Sequence, residues 1–192
     1  MKKKHKLVFG PLALGLCAVP TDQSLAAFDA FLKIDGIPGE SMDSKHKDEI
    51  DVLSWSWGET QSGTLSLSNS WNFKISKALD KSSPLLYVCS AGRSNLTQVI
   101  LTVRKAGQQQ QEYMTIKMSD VLISGCQSGG GAADLAAMPT EEVSFNFQKI
   151  EWTYQAFTPD GLPSGSPIVT SWSNTIVSPG GTGSVAASAS PK

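Results

Sequence analysis

The sequence predicts an all-β domain with one short helix, and three observations support that prediction. Apolar residues alternate with polar ones in several short runs, the period-2 pattern of strands with one buried face. Glycine and proline punctuate those runs, 17 and 10 of them in 192 residues, while only 17% of the chain is charged, a balance that favours short strands over long helices. One segment alone, Lys81-Ser82-Ser83-Pro84, carries a helix start signal. A chain of this length makes one domain and buries roughly two-thirds or more of its unfolded surface, so it needs no staples.

Taken in order, Phe28, Ala30, Leu32 and Ile34 alternate with Asp29, Phe31, Lys33 and Asp35, a first strand ending at Gly36. Ile37 to Glu49 holds Pro38, Gly39 and a dense mixture of charges, a long exposed loop of the kind that carries function or contacts. Ile50 to Trp57 is a second strand whose apolar positions change phase after Val52. Leu65 to Ile75 is the longest clean alternation and predicts a third. A helix follows over Pro84 to Ala91. Ser83 is its expected N-cap, Leu85, Leu86, Val88 and Cys89 form its apolar side, and Gly92 its left-handed terminator.

The stretch from Gln98 to Tyr154 organises the rest. Met114, Ile116 and Met118, then Val143, Phe145 and Phe147, mark strands of an antiparallel sheet. A Gln-rich turn with Gly107 connects Lys105 to Glu112, and Gly125, Gly129, Gly130, Gly131 and Pro139 make a longer connection. After Phe147 the apolar positions shift to Ile150, Trp152 and Tyr154. Either a β-bulge near Gln148 or Lys149 keeps both sets on one face, or the strand passes between two buried environments. A last strand is predicted over Ile168 to Val177, and residues 178–192 form a low-complexity tail expected to be disordered.

The N-terminus reads as a signal peptide over residues 1–26: Lys2, Lys3, Lys4 and Lys6, an apolar core from Leu7 to Val19, and a small-x-small site at Ser24-Leu25-Ala26. The apolar run is too short and too broken by Pro11, Gly15 and Pro20 to span a membrane. Cleavage after Ala26 leaves a domain over 27–177 plus the tail, and makes the protein secreted. Losing four lysines and Asp22 takes the basic count from 16 to 12 and the acidic from 17 to 16, a net charge near −4. A mildly acidic surface without a basic patch argues against nucleic acid or anionic lipid as partner. Cys89 and Cys126 either form one disulfide or stay as two buried thiols.

Outside the leader the one histidine is His46, in a charged loop with no nucleophile elbow, which suits a hydrogen-bonded anchor better than a catalyst. The two thiols and one imidazole lack metal-ligand spacing, and the glycine run at 125–131 lacks the Lys-Ser/Thr of a phosphate loop. Asp48, Glu49 and Asp51 read as solvated charge. No catalytic, metal or cofactor residue is therefore assigned, and no enzyme activity is expected. Trp55, Trp57, Trp71, Trp152 and Trp172 could stack on sugars, and four of them lie on runs that look core-facing. They support one alternative, an exported stand-alone β-barrel binding module, carbohydrate-binding or adhesive.

Several separated motifs carry a resemblance. Phe31-Leu32-Lys33-Ile34-Asp35-Gly36-Ile37-Pro38-Gly39-Glu40-Ser41, Asp43, His46, Glu49-Ile50 and Trp57-Gly58 are followed by Lys77, Asp80 and Lys81-Ser82-Ser83-Pro84-Leu85. Arg104-Lys105-Ala106-Gly107, Asp120 to Ser124, Gly129-Gly130, Pro139-Thr140-Glu141 and Lys149-Ile150-Glu151 continue the series. In sequence and spacing these resemble Hcp, the haemolysin-coregulated tube protein of type VI secretion. The resemblance implies a β-barrel of two packed antiparallel sheets with one short α-helix on its side, assembling as a homohexameric ring. Such rings stack into a hollow tube, with a spike protein, a sheath and effector cargo as further partners, built in the cytoplasm before firing. It also implies that the extended loop reaches a neighbouring subunit or ring, which makes Pro38, Gly39, Glu40, Ser41 and His46 candidate contact residues. The polar face of the Leu65 to Ile75 strand is either lumen lining or an ordinary solvated face.

Overall fold

The computed structural model describes residues 28–60, 70–107, 110–129 and 138–173. Its elements are β1 (Phe28–Ile34), β2 (Ile50–Asp51), β3 (Ser54–Thr60), β4 (Ser70–Ala78), α1 (Ser83–Gly92), β5 (Asn95–Lys105), β6 (Glu112–Gly129), β7 (Thr140–Phe157) and β8 (Pro163–Ser173). All strands belong to one antiparallel sheet in the order β2-β1-β5-β6-β7-β4-β3, with β8 beside the far half of β7.

Closure of that sheet into a barrel is visible in the backbone. β2 and β3 are consecutive pieces of one segment, yet they occupy opposite ends of the strand order. The Val52 N–H donates to the Ala30 carbonyl at 2.9 Å, and the Leu53 N–H to the Ser76 carbonyl at 2.8 Å. The expected change of phase after Val52 is thus the corner where the chain leaves β1 for β4. Ile50 and Val52 stay buried and Leu53 turns out to solvent.

A second change of phase runs across three strands at one level. Buried positions step from Leu96 to Val99 in β5, from Met118 to Val121 in β6, and from Phe147 to Ile150 in β7. The pairs Gln98↔Ser119 and Ser119↔Lys149 lie on this line, and the register across it is unbroken because every strand gains its extra residue together. Asp120 takes the left-handed conformation there, φ 52°, which Asp tolerates better than most residues. Phe147 and Ile150 join one core, so both sets of apolar residues face the same interior.

That interior is lined by Leu32, Ile50, Phe73, Ile75, Leu101, Ile116, Met118, Phe145 and Ile150, each almost wholly removed from water. At about 1.5–3 kcal/mol per fully buried side chain, this is the main driving force of the fold. Trp55, Trp152 and Trp172 pack against the core's edge, whereas Trp57 is 46% exposed and lies 5.3 Å from the Trp152 ring.

Several boundaries differ from expectation. Gly125 and Gly129, expected in a connection, lie in β6 paired with β7, because the backbone bulges there and keeps its ladder. The second expected strand is split into β2 and β3 at the corner. The helix has its N-cap at Ser82 rather than Ser83, because the Ser83 hydroxyl is drawn into a buried ion-pair cluster. Its left-handed terminator is Arg93, φ 49°, one residue beyond Gly92, with the Arg93 and Ser94 amides closing on the Ser90 and Cys89 carbonyls. The last strand begins earlier, at Pro163, because the turn at Thr158 to Leu162 feeds it directly beside β7. The leader, the tail, residues 65–69 of the third alternation, the glycines at 130 and 131 and the 174–177 end of the last strand lie outside the described residues.

Candidate functional site

β1 and β5 are neighbours, so the outward-facing residues Asp29 and Phe31 stand opposite Arg104 and Thr102. These do not face water. Phe31, Thr102 and Arg104 are all buried, because the loop after β1 folds back over them. The His46 ring stacks on Phe31 at 4.3 Å and 7°, and the Arg104 guanidinium sits 4.7 Å from the same ring, a cation–π contact. His46 Nδ1 bonds Glu49 Oε2 at 2.9 Å, which makes His46 an anchor.

Asp43 ties the loop to the barrel. Its carboxylate accepts from Arg104 Nη2 at 2.6 Å and from the backbone amides of Lys45 and His46, while Arg104 Nε also reaches Asp29 at 3.0 Å. The Arg104 hydrogen bond, seconded by those amides, holds the Asp43 pKa down at about 2. Because the folded value lies below the unfolded one, the contribution is complete above about pH 4 and disappears as pH falls towards 2. Urea unfolding should therefore find Asp43→Asn about 1–2 kcal/mol less stable than the parent at pH 6, a gap that narrows to nothing by about pH 2. A gap independent of pH would assign the cost to packing instead.

The backbone completes the anchor. The Gly39 N–H donates to the Asp48 carbonyl, the Ser41 N–H to the Glu49 carbonyl, and the Asp48 N–H back to the Ser41 carbonyl. At Gly39 the chain passes so close that an added Cβ would stand 2.3 Å from the Glu49 carbonyl oxygen. Lys81, at the helix entry, clasps the outside, its backbone amide on Glu40 and its ammonium on Asp48 at 2.9 Å. That hydrogen bond lowers the Asp48 pKa.

The five candidate contact residues thus fall into two sets. Gly39, Ser41 and His46 are buried inside the subunit, and Pro38 and Glu40 are exposed beside Met42, whose side chain is 90% exposed at the loop's tip. The long exposed loop expected from the sequence is exposed at Pro38, Glu40 and Met42 and fixed at its base by buried residues.

Beneath the helix lies the cluster that displaced the cap. Lys77 and Glu141 are directly paired across β4 and β7 and both are wholly buried. Lys77 Nζ has four acceptors in reach for its three N–H donors, Glu141 Oε1 at 2.7 Å, Asp80 Oδ1 at 2.8 Å, the Ala78 carbonyl at 2.8 Å and Ser83 Oγ at 3.2 Å. Ser83 donates to the same Glu141 oxygen at 2.7 Å. The ammonium is saturated and closed to solvent, so it holds α1 on the barrel and offers nothing to a substrate. No group of three metal-ligating side chains exists among the described residues, and no described helix is long and apolar enough to cross a membrane.

On the sheet's outer face, Asn72, Lys74, Ser124, Gln127, Glu142, Ser144 and Asn146 line a shallow polar concavity of about 330 Å³. Its two charges neutralise each other, Lys74 Nζ bonding Glu142 Oε1 at 2.8 Å. The surface is hydrophilic and nearly uncharged.

A family described as Type VI secretion system effector, Hcp, matches residues 31–154. Protein hcp1 of Pseudomonas aeruginosa is 38% identical over 156 residues, covering 76% of this chain and 94% of the relative. Hcp1 from Salmonella typhimurium superposes with a TM-score of 0.64 at 34% identity, over 77% of this chain and 94% of that one. A type VI secretion system effector from Yersinia pestis does so with a TM-score of 0.61 at 34% identity, over 76% and 99%.

Proposed function

Since the chain belongs to the Hcp family of type VI secretion, we propose that it is a structural subunit of a secretion tube, a ring-former with no catalytic step. The observation that carries this reading is the match of residues 31–154 to the family together with the superposition of Hcp structures on 77% and 76% of this chain. Self-association follows from the family. A six-membered ring, stacking of rings, effector cargo in the lumen and contacts to spike and sheath are the finer parts of the proposal.

The loop geometry supports a division of labour. Gly39, Ser41 and His46, with Asp43, Phe31 and Arg104, set the shape, and Pro38, Glu40 and Met42 present it to the next subunit or ring. A preformed projection loses little conformational entropy on docking, which favours assembly from shape alone. The polar concavity on β4, β6 and β7 fits a lumen wall, wettable and without net charge. Sheath and spike contacts belong to a chain that stays in the cytoplasm until firing; removal of residues 1–26 after Ala26 as an export leader would instead place a free ring outside the cell.

A ring closes when each subunit carries two different complementary patches. Six copies near −4 each make about −24, so salt, which screens charge beyond roughly 8–10 Å, favours closure. Light scattering behind size exclusion should give a mass near six chains, held or increased as salt rises from about 50 to 500 mM. Met42→Asp should weaken stacking and leave the subunit's melting temperature unchanged. A single chain at every salt concentration would overturn the ring, and dissociation on adding salt would overturn the electrostatic account.

A further inference from the structure

Cys89 and Cys126 belong to no part of the loop or the ion-pair cluster, and both are free thiols. Cys89 is on α1, Cys126 on β6, and α1 packs on β6. The register shift between Ile123 and Gly125 is a bulge, and it re-aims Cys126 at the helix. The Cys126 sulfur comes within 3.7 Å of the Leu86 carbonyl oxygen. Leu86 and Cys89 are three positions apart on one helix face, so Cys89 lies within one turn of the carbonyl that Cys126 approaches, close enough to act electrostatically on the Cys126 thiol. Both are half-buried at the core's margin.

We propose that Cys89 and Cys126 are a disulfide-forming pair, a modification site that an oxidising compartment closes to staple α1 onto β6. Each thiol gives up a proton and the two sulfurs together give up two electrons to a disulfide-exchange oxidant. One thiolate first displaces half of that oxidant to form a mixed disulfide, and the other then displaces the remaining thiolate and forms the S–S bond. Burial pushes the Cys126 thiol up, so its thiolate becomes available, and the bridge closes faster, as pH rises. A chain kept in a reducing cytoplasm would remain open, and one exported behind a cleaved leader would be stapled.

The test uses the purified full chain, fully reduced and then treated with diamide under native conditions. Closure predicts loss of two hydrogens in the intact mass, a proteolytic fragment linking Cys89 to Cys126, and a melting temperature several degrees above that of the reduced protein. Cys89→Ser and Cys126→Ser should each abolish that fragment and that upshift. Two thiols still open to alkylation after diamide, a link from either to Cys17, or links only between chains would each overturn the proposal. Mass by light scattering before and after oxidation keeps this outcome separate from ring formation, because a subunit can close its staple whether or not it assembles.

Discussion

Lys77→Ala is expected to destabilise the subunit by about 3–5 kcal/mol, the usual cost of leaving a buried charge without its partner. Glu141, fully buried, would keep only the Ser83 hydroxyl, and its second oxygen has no partner even in the parent. Asp80 would lose its ammonium as well, keeping only the Ser82 amide and hydroxyl on its carboxylate. The double variant Lys77→Met with Glu141→Leu removes both charges and refills the space, so it should recover most of the loss, as replacement of a buried ion pair by apolar residues often does. Urea unfolding of the two single variants and the double closes a thermodynamic cycle. Additive losses would mean the pair does not act as a unit.

The other large effect is expected at Gly39. Gly39→Ala places a methyl group 2.3 Å from the Glu49 carbonyl oxygen and 2.5 Å from the Ile50 Cα, and neither is the end of a flexible side chain. The loop must lift, breaking the bond from the Gly39 amide to the Asp48 carbonyl and pulling His46 off Phe31. A stability loss of about 3 kcal/mol is expected, at the upper end for overpacking. Assembly should fall with it, since Pro38, Glu40 and Met42 would no longer be held out. Set beside Met42→Asp, which should impair assembly alone, the pair separates shape from contact. Unaltered unfolding of Gly39→Ala would show that the loop relaxes at no cost.

Much of this was legible in advance. Both phase changes follow from where Ile50, Val52, Phe147 and Ile150 stand in the alternation, and the helix among the described residues from Ser82-Ser83-Pro84. Lys77 and Glu141 were legible too, since each extends an inward run, Phe73 and Ile75 in one case, Val143 and Phe145 in the other. What no local pattern could give was that they meet, because that depends on a register between strands far apart in sequence. The same limit hid the base of the loop. Phe31 sits on the polar phase of β1, an aromatic where a solvated residue belongs, and Arg104 stands likewise on β5. Both were signs of a covered outer face, and only the fold shows that residues 37–49 do the covering.

Two pairs inside the strand order, β1 with β5 and β4 with β7, join residues roughly seventy positions apart, and such non-local pairing slows folding. A ribosome must release the chain as far as Phe145, the first third of β7, before the cylinder can shut. Until then the nascent polypeptide stays slack and threadable, the form that a translocation channel accepts.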